Sequence, residues 1–127
     1  MSVPVDLAEL GGVVADAGSG YLLSTSSPSI KVVTIDPVVE PDGRLRVVGP
    51  GRGTLANLAA NPVVSLVFPP REHHGYTLIV DAEAQAEGDD VLVTPTAAVL
   101  HRPASHADAA VAGDGCGHDC APVATGD

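Results

Sequence analysis

Residues 47–68 constrain the fold most. They read Val-Val-Gly-Pro-Gly-Arg-Gly-Thr-Leu-Ala-Asn-Leu-Ala-Ala-Asn-Pro-Val-Val-Ser-Leu-Val-Phe. An apolar strand ends at Val48, because Gly49-Pro50-Gly51 offers turn residues and Pro50 has no N–H for a ladder. Thr54 is placed to cap a short helix over 55–60, and Asn61-Pro62 stops that helix. The run 63–68 is apolar and β-branched, as a buried strand requires. A glycine turn feeding a helix presents unpaired N–H groups and a positive dipole end, which suit an anion such as phosphate. The same glycines can equally serve only to turn the chain. Arg52 is the one cation in the turn.

The remaining basic residues are few: Lys31, Arg44, Arg46, Arg71 and Arg102, against a formal net charge of −10. So few scattered cations argue against nucleic acid and against anionic membrane surfaces, both of which need clustered positive charge. A small anionic ligand stays possible, since a local clamp outweighs distant charge beyond a Debye length of about 8 Å. No basic n-region with a long apolar run opens the chain, and no segment approaches the roughly 18 apolar residues of a membrane span. A cytoplasmic location is therefore expected. Cys116 and Cys120 lie together near the C-terminus and cannot staple a core.

Asp6 and Glu9 have capping-box spacing, with Leu7, Leu10 and Val14 on one helical face beyond them and Gly18 to end the helix. Strands are predicted over 20–25, 30–35, 45–48, 63–68, 76–86 and 91–100, with Lys31, Val33 and Ile35 sharing a face. The alternation is clearest where Val80, Ala82, Ala84 and Ala86 oppose Asp81, Glu83, Gln85 and Glu87. Pro95 must sit at a bulge or an edge. The prediction is a mainly β, six-stranded barrel with two short helices, closed so that it has no free edges. It occupies residues 1–103. Residues 104–127 lack periodicity and read as a disordered tail.

The order and spacing of several fragments resemble a known family, the pyridoxamine 5'-phosphate oxidase-like, FMN-binding split β-barrels. The fragments are Gly20-Tyr21-Leu22-Leu23-Ser24-Thr25, Asp42-Gly43-Arg44-Leu45, Asn57-Leu58-Ala59-Ala60-Asn61-Pro62 with Val63-Val64-Ser65-Leu66, and Val99-Leu100-His101-Arg102-Pro103. The resemblance covers about residues 5–103. It implies a homodimer with a flavin between subunits, its phosphate held by Lys31, Arg52 and Thr54. It also implies that strand residues near Thr34, Ile35, Val47 and Val48 line the flavin ring through backbone groups, with Tyr76 reaching the partner's flavin. The chain departs from the family at Asp36, Val47, Val48, Gly53-Thr54 and Asp81, and it lacks the pyridoxal-binding C-terminal part. A literal pyridoxamine phosphate oxidase is therefore not expected.

The resulting expectation is an FMN-dependent oxidoreductase acting on a small molecule, with no side chain nameable as its acid or base. Two other classes stay open: a non-enzymatic module for flavin, deazaflavin or haem, and a metal-handling protein. The latter would use Cys116, His118 and Cys120, whose soft and borderline donors suit zinc, although a disulfide or an unstructured tail fits the same residues. His73-His74 on a polar turn can be solvent-facing or ligating. His101 is expected to pack near the barrel end.

Overall fold

The computed structural model describes residues 2–103. Among these the chain forms eight strands and two α-helices. They are β1 (Ser2–Pro4), α1 (Leu10–Ala17), β2 (Gly20–Ser26), β3 (Ser29–Ile35), β4 (Val38–Val39), β5 (Leu45–Val47), α2 (Arg52–Ala60), β6 (Val63–Phe68), β7 (Thr77–Glu87) and β8 (Asp90–His101). All pairings are antiparallel, in the order β3-β2-β6-β7-β8-β5-β4, with β1 added to the far end of β8. The fold is mainly β, as predicted. Strands β1 and β4 bring the number from six to eight; at three and two residues they are too short to carry a periodic signal.

The expected closure does not occur. Strands β3 and β4 stand at the two ends of the hydrogen-bonded order, so the sheet curls without sealing. Helix α1 packs against β4, and α2 packs against β2, β3 and β7. The curl is filled by one face of the sheet. Leu22, Leu66, Val80 and Ala98 are register partners across β2, β6, β7 and β8, and all four are buried. The next rows add Val64, Phe68, Leu78 and Ala82, and Leu10 and Val14 of α1 join them. Each Leu, Val or Phe side chain among them contributes roughly 1.5–3 kcal/mol by leaving water.

Period two in β7 holds for Val80, Ala82 and Ala84, which are buried, but Ala86 is exposed where the strand outruns the core. The predicted bulge at Pro95 is present. Asp81 pairs with Ala97 and Ala82 with Pro95, leaving Thr96 between them to donate its hydroxyl to the Asp81 carbonyl at 3.1 Å.

Both helix starts differ from expectation. Asp6 does cap, accepting from the Ala8 N–H at 3.0 Å, but residues 7–9 form a 3-10 turn before α1 begins. That turn rotates Leu7 off the helical face, and it is exposed while Leu10 and Val14 are buried. Helix α2 begins at Arg52, earlier than predicted. Gly49 and Gly51 adopt φ of 56° and 102°, a left-handed entry only glycine takes readily, so the chain is already helical when it reaches Thr54.

Candidate functional site

The N-terminus of α2 gathers the chemistry. Its cap residue is Gly51, which has no side chain to bond the first N–H groups, and its first turn contains no acid. The first i→i−4 bond is Leu55 N–H to the Gly51 carbonyl at 3.2 Å, so the amides of residues 52–54 precede the internal ladder. Arg52 lies in this first turn, exposed.

Lys31 arrives from β3. It is the register partner of Ser24 on β2, and both lie on the strand faces that look toward α2. Asn57 of α2 donates its amide to the Ser24 carbonyl and hydroxyl, both at 3.3 Å, and Asn61 donates to Thr25 Oγ1 at 3.0 Å. This polar seam docks the helix on β2 and brings the Lys31 side chain across Gly53. A Cβ on residue 53 would stand 3.2 Å from Lys31 Nζ. Among the described residues neither Lys31 nor Arg52 forms a salt bridge.

The loop entering α2 is tied down from the other side. The Gly49 N–H donates to Asp90 Oδ1 at 3.1 Å, while Asp90 Oδ2 accepts from Arg46 at 3.4 Å. Arg46 also bonds Glu87 at 2.7 Å and pairs with Glu40 at 3.5 Å. The hydrogen bond that Arg46 donates to Glu87 raises the pKa of its guanidinium, so this anchor keeps its charge.

Three of the sequence-predicted residues thus meet at one helix end: Lys31, Arg52 and Thr54. Thr54 is not the cap. It is 1 % exposed, and its Oγ1 has no hydrogen-bond partner among the described residues. Thr34 lies on the opposite face of β3 from Lys31, and Val48 is exposed where the chain leaves β5. Tyr76 lines a separate cleft with Val13, Ala17, Phe68, Leu78 and Leu100, its ring 4.6 Å from the Arg102 guanidinium carbon.

Sequence reading missed Ser24, Asn57, Asn61 and Asp90. A signal existed for the helix: Thr54, Asn57 and Asn61 recur at helical spacing, marking a polar stripe facing the sheet. Nothing local marked Asp90 as the partner of Gly49.

His73 and His74 lie with ring centroids 3.8 Å apart, and His74 has φ of 65°. The described residues contain no group of three or more His, Cys, Asp or Glu arranged to hold a metal. Cys116, His118 and Cys120 lie outside the described residues. Among the described residues no helix is long and apolar enough to cross a membrane.

No family model matches the chain. It is 37 % identical to the uncharacterised protein Mb0449c of Mycobacterium bovis and equally to MT0457 of Mycobacterium tuberculosis, over 91 % of this chain and 92 % of each relative. Solved structures with a similar fold include a putative pyridoxamine 5'-phosphate oxidase from Listeria innocua, with TM-score 0.62 and 11 % identity over 74 % of this chain and 96 % of that one. An FAD-binding protein from Mycobacterium smegmatis matches with TM-score 0.58 and 19 % identity, over 80 % of this chain and all of that one. An FAD-binding protein from Mesorhizobium loti matches with TM-score 0.56 and 15 % identity, over 80 % and 98 % of the two chains.

Proposed function

The chain belongs to one family with Mb0449c and MT0457 and has the split-barrel fold of the pyridoxamine 5'-phosphate oxidase-like proteins, and from that premise we propose that it is a flavin-binding oxidoreductase that holds the flavin by its phosphate at the start of α2. One observation carries this reading. Lys31 reaches across Gly53, and Arg52 is the first residue, of a helix that has neither a side-chain cap nor an acid in its first turn. A cation beside a helix N-terminus is unfavourable by roughly 0.3–1 kcal/mol, and a phosphate at the same point reverses the sign for both cations and the dipole. The donor set therefore fits a dianion: one guanidinium, one ammonium and the leading amides.

A bound flavin would supply the hydride chemistry. Lys31 and Arg52 would bind and orient its phosphate, and the Asp90–Gly49 bond would hold the loop that presents Arg52. The Thr54 hydroxyl is buried in the first turn rather than meeting solvent, and has no hydrogen-bond partner among the described residues. FMN is the flavin we propose, because the site offers one phosphate cradle. Deazaflavin and haem are the alternatives that the test below separates.

We further propose that the protein is a homodimer. The outer face of β3, β2 and β6 exposes Ile30 at 70 %, Val32 at 53 % and Val63 at 59 %, with Tyr21 beside them. A second copy covering this edge would bury it, and a flavin shared across the interface would explain how so small a barrel encloses a large ligand. Sedimentation at micromolar concentration should give a species of twice 12.7 kDa. A monomer alone would remove the cross-subunit site.

Titration with FMN, FAD and riboflavin, read by fluorescence quenching, tests the flavin reading. Tightest binding of FMN, with riboflavin far weaker, is expected. No binding of any flavin, with absorbance of the purified protein showing a haem or deazaflavin band instead, would replace it.

A further inference from the structure

The three glycines around the start of α2 have different physical reasons for being there. Gly49 and Gly51 adopt positive φ, and a Cβ on either would point into open space. They are glycines for backbone conformation. Gly53 is helical, with no unusual φ, so its conformation would accept any residue. Its side-chain space is occupied instead. A Cβ there would stand 2.6 Å from Lys31 Cε, 3.2 Å from Nζ and 3.6 Å from Cδ.

Lys31 reaches this place from an edge strand, β3. An edge-strand lysine usually extends into solvent. Here Lys31, although still exposed, lays its stem against the helix, and two features place it there. Ser24, its register partner, is bonded by Asn57 of α2, and the absent side chain at 53 leaves a notch one methyl deep.

We propose that Gly53 is a positioning residue: its missing side chain forms the notch that seats Lys31 across the first turn of α2 and holds the ammonium at the anion-binding helix end. Gly53 contributes no donor beyond its amide. It acts through Lys31, by limiting where a flexible four-carbon stem can lie, and so makes the site selective for a phosphorylated ligand over its unphosphorylated form. The inference rests on the flavin-phosphate reading above.

Gly53→Ala tests it in the full-length protein. The clash is with the far end of a flexible side chain, so the lysine swings away and the fold is kept; alanine also favours the helix. The melting temperature should be unchanged or raised. FMN affinity should fall about three- to tenfold while riboflavin affinity stays constant, as expected when one charge-assisted contact is loosened rather than removed. In the Lys31→Ala background the same change should have no further effect on FMN binding. A fall of equal size in both backgrounds would overturn the proposal, because the methyl would then be acting on the ligand directly. Equal losses for FMN and riboflavin would overturn it too.

A second measurement separates this failure from failure of the flavin reading. Nuclear Overhauser contacts between the Lys31 ε-methylene and the Gly53 α-protons should be present in the wild type and absent in Lys31→Ala. Their absence in the wild type overturns the notch. If they are present and no flavin binds, the notch stands as a seat for Lys31 while its phosphate role and the flavin reading fall together.

Discussion

The two helix starts of this molecule are built in opposite ways. At the first, Asp6 caps the turn through its carboxylate and Glu9 adds a second acid before α1. That cap serves the 3-10 turn; α1 itself starts without a side-chain cap hydrogen bond, but with the acids Asp6 and Glu9 just before it. At the second, Gly51 offers no cap, the first turn has no acid, and Lys31 and Arg52 add positive charge to a positive pole. A helix start that only had to be stable would resemble the first. The second leaves its local electrostatics unsatisfied, as the proposed anion cradle requires.

The sharpest way to break this contrast is to make the second start resemble the first. Gly53→Asp places a carboxylate in the first turn of α2, where it can pair with Lys31 and Arg52. FMN affinity should drop by on the order of a hundredfold or more, since one change fills the cradle and repels the phosphate. The melting temperature should hold or rise, because an acid near a helix N-terminus contributes roughly 0.3–1 kcal/mol. Simultaneous loss of stability and binding would mean that the start of α2 is structural.

Removing the cations separately tests whether they serve one ligand group. Arg52→Ala should weaken FMN binding by about one to two powers of ten, the equivalent of a charge-assisted contact of roughly 1.5–3 kcal/mol, with riboflavin scarcely affected. Lys31→Ala should behave likewise, and the double variant should lose less than the sum if both hold one phosphate. Full additivity in calorimetric titration would place them on different groups.

The smallest effect belongs to the self-satisfied start. Asp6→Ala should destabilise the fold by about 1 kcal/mol, in line with other lost N-caps. For a domain of this size that lowers the melting temperature by about 4–8 °C, and flavin affinity should not change. A change in FMN affinity there would couple the two helix starts and erase the contrast.

Much of the fold is legible in local pattern. The alternation through β7, the Asn61-Pro62 stop, the displaced Pro95 and the strand ending near Gly49 all follow from side-chain period and backbone stereochemistry. Thr54 was misread for a local reason as well. Threonine before a leucine run looks like a cap, but two left-handed glycines upstream start the helix earlier and carry the hydroxyl inside. Strands of two and three residues, such as β4 and β1, have no period to read, so their pairing with β5 and β8 appears only in three dimensions.

By itself the sequence determined a mainly β domain with a glycine loop opening onto a helix, because those features depend on neighbours in the chain. It also limited the available cations to six. Arg52 stands at the helix start by sequence alone, but which other cation would join it was decided by tertiary structure. Arg44 and Arg46 end in pairs with nearby carboxylates, and Lys31 is delivered to Gly53 by the β2–β3 register and by the Asn57–Ser24 seam. The same holds for the open sheet: hydrophobic alternation says which face is buried, but not whether the two end strands, β3 and β4, meet. Those outcomes depend on contacts between residues distant in sequence, whose energies no local pattern encodes.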